Sequence, residues 1–92
     1  MSRKTLREFT RQHSDSKTAL DSWFHILEKN RFDSFNELLR VFPSADKVGD
    51  LFVFNIGGNK YRLITSIHFN RQKVYVRYVL THEEYEREKW KP

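Results

Sequence analysis

Five basic side chains and no acid fall within residues 51–82: Lys60, Arg62, Arg71, Lys73 and Arg77. Arginine and lysine with no carboxylate in the same stretch suit a phosphate, because a guanidinium forks onto two phosphate oxygens and does not lose its charge. Tyr75 adds a ring on which a base can stack. Thr81-His82 follows, then Tyr85, and a three-residue step on a helix puts His82 and Tyr85 on one side. Histidine exchanges a proton near neutral pH, and a tyrosine hydroxyl can donate or orient. Phosphate clamps, a base for a 2′-hydroxyl, an acid for a leaving 5′-oxygen and a stacking surface form a set able to cleave RNA without a metal. The same residues also suit a solvated basic strand, a surface histidine and a ring packed on the sheet. Residue types alone leave both readings open.

Other chemistries are poorly represented. Four scattered histidines and no cysteine give no metal-ligand pattern. Gly57-Gly58 without a Gly-Lys-Ser/Thr string is a turn, not a nucleotide loop. His68 reads as plain surface, His13 and His25 as structural, and Trp23 and Phe24 as core.

Of the 92 residues, 17 are basic and 12 acidic, and the five bases of residues 51–82 equal the whole net charge of +5. Such one-sidedness suits a polyanionic partner, nucleic acid or an acidic protein segment, as well as a solvated sheet face. The absence of cysteine fits a reducing compartment. No apolar run approaches the roughly 18–20 residues of a membrane span, and MSRKTLREF lacks the apolar stretch of a secretory signal. The expectation is one domain over residues 1–92, cytoplasmic, with no membrane contact and no cofactor.

The elements that must position these residues follow from periodicity. Residues 3–13 place Leu6, Phe9 and His13 at helical spacing, with Arg3, Lys4, Arg7 and Arg11 around them. Ser14-Asp15 predicts a polar cap for a second helix over 16–30, whose stripe is Leu20, Trp23, Phe24 and Leu27. A third helix starts at Ser34, with Glu37 as capping-box partner, and ends before Pro43. FPSADKVGD is predicted as loop. Three strands are predicted: 51–56, 59–69 and 73–81. A two-residue Gly57-Gly58 turn would pair Ile56 with Asn59, Phe54 with Tyr61 and Phe52 with Leu63. An Asn70-Arg71 turn would pair Ile67 with Val74, Leu63 with Tyr78 and Tyr61 with Leu80. One face is then core under the two long helices. The other gathers Val53, Asn55, Lys60, Arg62, Ile64, Ser66, His68, Tyr75, Arg77 and Val79. A short final helix begins after Thr81, with Glu84 completing a capping box.

SRKTLREF at the start, FPSAD at 42–46, VFNIGGNKYRLI at 53–64 and YVRYVLTHEEY at 75–85 together resemble the HigB-type toxins of bacterial type II toxin–antitoxin pairs, in the RelE/ParE-like superfamily. The resemblance runs over nearly the whole chain. It implies an α+β, RelE/ParE-like fold: an antiparallel sheet of at least three strands, N-terminal helices packed on one face and a short C-terminal helix. It implies a metal-independent endoribonuclease that cuts mRNA on the ribosome, and a HigA-like antitoxin partner. Lys60, Arg62 and Arg77 match its basic motif positions, and His82 and Tyr85 its THxEY motif. On that footing Arg62 and Arg77 take the scissile phosphate, His82 exchanges protons and Tyr85 assists, with Lys60, Lys73 and Tyr75 binding RNA. The alternatives are a ParE-like toxin acting on DNA gyrase without nuclease activity, and a non-catalytic RNA-binding module. Similar proteins begin with a short apolar strand before the SRKTL segment. Here only Met1 precedes Ser2: either that edge strand is missing or the start codon lies further upstream, and its loss would leave a three-stranded sheet with an open edge and lower stability without the antitoxin.

Overall fold

The computed structural model describes residues 4–58, 60–88 and 90–91. Helices α1 (Lys4–Gln12) and α2 (Lys17–Lys29) are joined by a 3₁₀ turn, Ser14–Ser16. Leu20, Trp23 and Phe24 of α2 are buried, as their spacing on one stripe requires. The predicted cap differs. Ser16 stands at the N-cap without a side-chain cap, its hydroxyl donating to His13 O at 2.6 Å. The Asp15 carboxylate is used elsewhere: it accepts from the Tyr61 hydroxyl at 2.6 Å. Helix α3 (Phe35–Val41) is capped by Ser34, whose oxygen accepts from Glu37 N at 3.3 Å. The Glu37 carboxylate reaches Asp33 N, one residue before the position a capping box uses.

The segment predicted as loop contains a strand. β1 (Asp46–Val48) pairs antiparallel with β2 (Leu51–Ile56), doubling back through Gly49, whose φ of 60° suits a tight hairpin. With β3 (Tyr61–His68) and β4 (Lys73–Thr81) the sheet has four strands in the order β1-β2-β3-β4, one more than periodicity predicted and in line with an antiparallel sheet of at least three. β4 remains an edge among the described residues.

Both predicted registers are corrected, with opposite consequences. Between β2 and β3 Gly57 and Gly58 stand at φ 61° and 69°, and Ile56 pairs with Tyr61. Asn59, its predicted partner, lies outside the described residues. Phe54 therefore faces Leu63, and Phe52 faces Thr65. This slip is two residues, so every side chain keeps its face. Between β3 and β4 the pairing starts as predicted, with Ile67 opposite Val74. It then shifts by one at Ile64/Thr65: Thr65 pairs with Val76 and Ile64 with Tyr78, leaving Arg77 as the extra residue of a β-bulge. A shift of one exchanges faces. Val79 joins Leu63 and the main core, while Tyr78 and Leu80 move to the face of Ile64 and Arg62.

Two cores result. The main one joins Leu6, Leu20, Trp23, Phe24 and Leu38 from the helices to Phe52, Phe54, Ile56, Tyr61 and Leu63 of the sheet. The second lies on the opposite face, where Val53, Ile64 and Trp90 are buried with Val48, Leu51, Leu80 and Tyr85 around them. The face opposite the predicted core is thus covered over part of its area by the C-terminal segment. At the far end Gln72, left-handed at φ 54°, closes the β3–β4 turn. Its side-chain amide donates to Phe32 O at 2.6 Å and to Phe69 O at 2.7 Å, tying the turn to the segment after α2.

Candidate functional site

β3 places Arg62 on the second face, and the start of the last helix comes back to meet it. Thr81 begins α4 (His82–Glu86) with a complete capping box: Thr81 Oγ1 accepts from Glu84 N at 3.2 Å, and Glu84 Oε1 accepts from Thr81 N at 2.9 Å. The His82 amide donates to Lys60 O at 2.9 Å, pinning the helix start to the turn before β3. These local bonds fix the direction in which His82 and Tyr85 leave the backbone.

The three side chains converge. Arg62 Nη2 stands 3.4 Å from His82 Nδ1, and its Cζ lies 5.3 Å from the centre of the Tyr85 ring. Nη1 donates to Tyr61 O at 3.2 Å. Arg62 is buried, at 8% exposure, so its charge sits at the floor of the site and not on a solvated strand. His82 Nε2 lies 3.4 Å from Glu86 Oε1. A guanidinium can only donate, so the contact of Arg62 with Nδ1 calls for the tautomer that keeps its lone pair on Nδ1. Tyr85 stacks on Trp90 with centroids 5.0 Å apart and planes 15° from parallel, and Trp90 Nε1 donates to Tyr85 O at 3.0 Å. Guanidinium, phenol and indole form one column, favoured by cation–π and stacking energies.

The other predicted residues are spread more widely. Arg77 is exposed on the bulge between Val76 and Tyr78. Lys73 and Tyr75 lie at the other end of β4, where Tyr75 meets His68 edge-on at 5.5 Å. His82 follows Lys73 by nine positions, roughly 30 Å at strand rise. Lys60 is not far from acid as residues 51–82 suggest: its Nζ lies 3.6 Å from Asp15 Oδ2, across from the helix hairpin. Among the described residues no three His, Asp or Glu side chains gather as a metal-binding group, and no helix is long and apolar enough to cross a membrane.

Sequence reasoning missed Glu86, Trp90 and the relocated Tyr78 and Leu80. A signal for the last two exists. Val74 and Val76 alternate, but Val79 is one step out of phase, which is what an extra residue at Arg77 produces.

Asp15 and Tyr61 form a hydrogen-bonded pair at the start of β3, with Lys60 beside the carboxylate. The Tyr61 hydroxyl bond holds the Asp15 carboxyl below its ordinary value, helped by Lys60 and opposed by burial. The same bond, with burial and the Asp15 charge, raises the Tyr61 phenol. A lowered carboxyl stabilises the fold above the unfolded value near 3.9 and loses that contribution as pH falls through its folded value. A raised phenol stabilises below about 10 and loses it as pH rises further. Tyr61→Phe should therefore melt below wild type between pH 5 and 9, and the gap should close toward pH 2. An equal gap at pH 2.5 and pH 7 in thermal melts would contradict the role of this bond.

A family model described as HigB toxin, RelE-like toxic component of a toxin–antitoxin system, matches residues 16–88. The mRNA interferase toxin HigB of Escherichia coli K12 is 35% identical over 89 residues, 94% of this chain and 86% of that protein. The mRNA interferase HigB of Shigella flexneri matches to the same degree. One from Escherichia coli O6:H1 (strain CFT073) is 26% identical over 90 residues, 95% of this chain and 87% of its own. With the four-stranded sheet, the helices on one face and the THEEY segment brought to Arg62, the chain belongs to the HigB toxin family, the RelE-like toxic component of toxin–antitoxin systems.

Proposed function

We propose that this toxin is an endoribonuclease that cleaves mRNA on translating ribosomes in the cytoplasm, without a metal, and that Arg62, His82 and Tyr85 carry the cut. The convergence of these three side chains supports the reading above all. Arg62 offers a fixed positive charge to a non-bridging phosphate oxygen. When it does so, His82 Nδ1, now facing Nη2, is freed to take the 2′-hydroxyl proton. The 2′-oxygen attacks phosphorus and the 5′-oxygen leaves, taking a proton from Tyr85 on this reading. The products are a 2′,3′-cyclic phosphate and a 5′-hydroxyl end. Arg77 flanks the phosphate from the bulge, and Lys60, Lys73 and Tyr75 hold RNA or ribosomal RNA further along the face. A HigA-like antitoxin controls the toxin.

Adding the protein to one defined mRNA in a translation extract, with and without ribosomes and with EDTA, tests this. New 5′ ends mapped by primer extension should require ribosomes and survive EDTA when purified ribosomal complexes are first stabilised against magnesium loss. His82→Ala should cut about 10²–10⁴ times more slowly. Intact RNA from a folded wild-type protein would sink the reading.

A further inference from the structure

Helix α4 is five residues long, too short to hold itself, and the chain that follows comes back to brace it. Glu88 takes φ 58°, the left-handed region that a residue with a side chain rarely adopts. Its amide donates to Tyr85 O at 3.1 Å, and the reversal brings Trp90 back against Tyr85. Trp90 holds Tyr85 at two points. Its indole stacks on the ring, and its Nε1 donates to the carbonyl oxygen that Glu88 N also reaches. Trp90 is itself fixed, at 5% exposure in the second core with Val53 and Ile64.

Tyr85 depends on such a brace. Its hydroxyl makes no hydrogen bond among the described residues, so no partner aims it. The Tyr61 hydroxyl, by contrast, is tied to Asp15. The direction of the Tyr85 phenol is therefore set by its ring contacts, the Arg62 guanidinium at 5.3 Å and the Trp90 indole at 5.0 Å. A free hydroxyl on a held ring is what a proton donor needs: the proton is not engaged by the protein, and the ring does not swing.

We propose that Trp90 is a positioning residue for the cut: by holding the Tyr85 ring, it aims the phenol proton at the leaving 5′-oxygen. The proposal rests on the assignment of the cut to Arg62, His82 and Tyr85. As the 2′-oxygen bonds to phosphorus and its proton passes to His82 Nδ1, the bond from phosphorus to the 5′-oxygen breaks. The electron pair of that bond stays on the 5′-oxygen, which takes the Tyr85 proton. The tyrosinate then regains a proton from water, and the imidazolium gives one up to it. Trp90 acts through Tyr85 alone. A tryptophan that only filled the second core would support every step alike.

A leaving group that needs no proton separates the two roles. A thiol ionises at about 8.5 and water at about 15.7. A 5′-sulfur in place of the 5′-oxygen thus departs as a thiolate, with the electron pair of the broken bond and no proton. One mRNA is made with oxygen and with sulfur at the mapped cut. Single-turnover rates are read at saturation on ribosomal complexes, beside melting curves of each variant. Trp90→Leu keeps an apolar side chain in the second core but neither stacks nor donates. It should cut the oxygen substrate about 10² times more slowly, with KM unchanged, and keep pace with wild type on the sulfur substrate. Trp90→Phe restores a ring without the Nε1 donor and should recover part of the loss, leaving about a tenfold deficit on oxygen alone. Slowing of a folded Trp90→Leu that sulfur does not relieve overturns the proposal, as does no slowing on oxygen. If Trp90→Leu fails to fold, Trp90→Phe decides by the same comparison. Tyr85→Phe marks the other failure: cutting the oxygen substrate as fast as wild type would overturn the assignment of Tyr85, and the proposal with it. With Tyr85→Phe slow on oxygen and rescued by sulfur, a negative result for Trp90 leaves the site reading standing.

Discussion

Arg62→Gln should lower the rate of mRNA cleavage by about 10²–10³, by analogy with the loss of a single preorganised donor at a developing oxyanion. The chosen substitution matters because Arg62 is buried among Tyr61, His82 and Tyr85. Its stem packs as well as its charge, so truncation to alanine would mix a packing loss with the electrostatic one. Glutamine keeps part of the stem and a donor but removes the charge. Arg62→Lys should not rescue the rate. An ammonium cannot reach Tyr61 O and His82 Nδ1 from a planar fork while lying over the Tyr85 ring. Single-turnover cleavage on ribosomal complexes, with melting curves of each variant, checks both statements. Full activity in Arg62→Lys would show that only a point charge is needed. Full activity in Arg62→Gln would remove Arg62 from the chemistry.

Leu63→Ala and Ile64→Ala should each cost about 2–5 kcal/mol of stability. Neighbours in sequence, they point to opposite faces of β3, and both are 0% exposed. Leu63 is enclosed by the main core and Ile64 by the second. A sheet with one solvated face would feel the first substitution strongly and the second hardly at all. Two covered faces make the costs comparable, because each truncation removes the same kind of buried surface and leaves a cavity. Urea denaturation of both variants decides it. A cost for Ile64→Ala under about 1 kcal/mol would mean that the C-terminal segment does not close the second face. Ile64→Ala should also slow cleavage in the fraction that stays folded, since Leu80, Tyr85 and Trp90 share that core with it.

Much of the framework is local and was legible in the chain. The stripe Leu20, Trp23, Phe24 and Leu27 makes α2 amphipathic whatever surrounds it. Thr81 and Glu84 start α4 through bonds made within four residues. His82 and Tyr85 share a side because helical spacing puts them there. The faces of β2 and β3 were right even with the wrong turn, since a slip of two preserves a period of two.

What the sequence by itself determined is therefore the inventory and its local order: the helices, the strands β2 to β4, the capping box, and a basic, aromatic and histidine-bearing half of the chain. Only the tertiary structure decided who meets whom. The bulge at Arg77 moved Tyr78 and Leu80 to the face of Arg62, a choice set by how β4 packs against two cores at once. The segment 42–50 became part strand because β2 presented it an edge to pair with. Asp15 left its helix cap for Tyr61 and Lys60, a contact between residues remote in sequence that no local pattern encodes. Trp90 is buried on the second face and stacks on Tyr85, whose ring meets the buried Arg62. Hydrogen bonds within a few residues follow from residue type and spacing, whereas burial and long-range pairing depend on the competition among all surfaces that seek cover in one small fold.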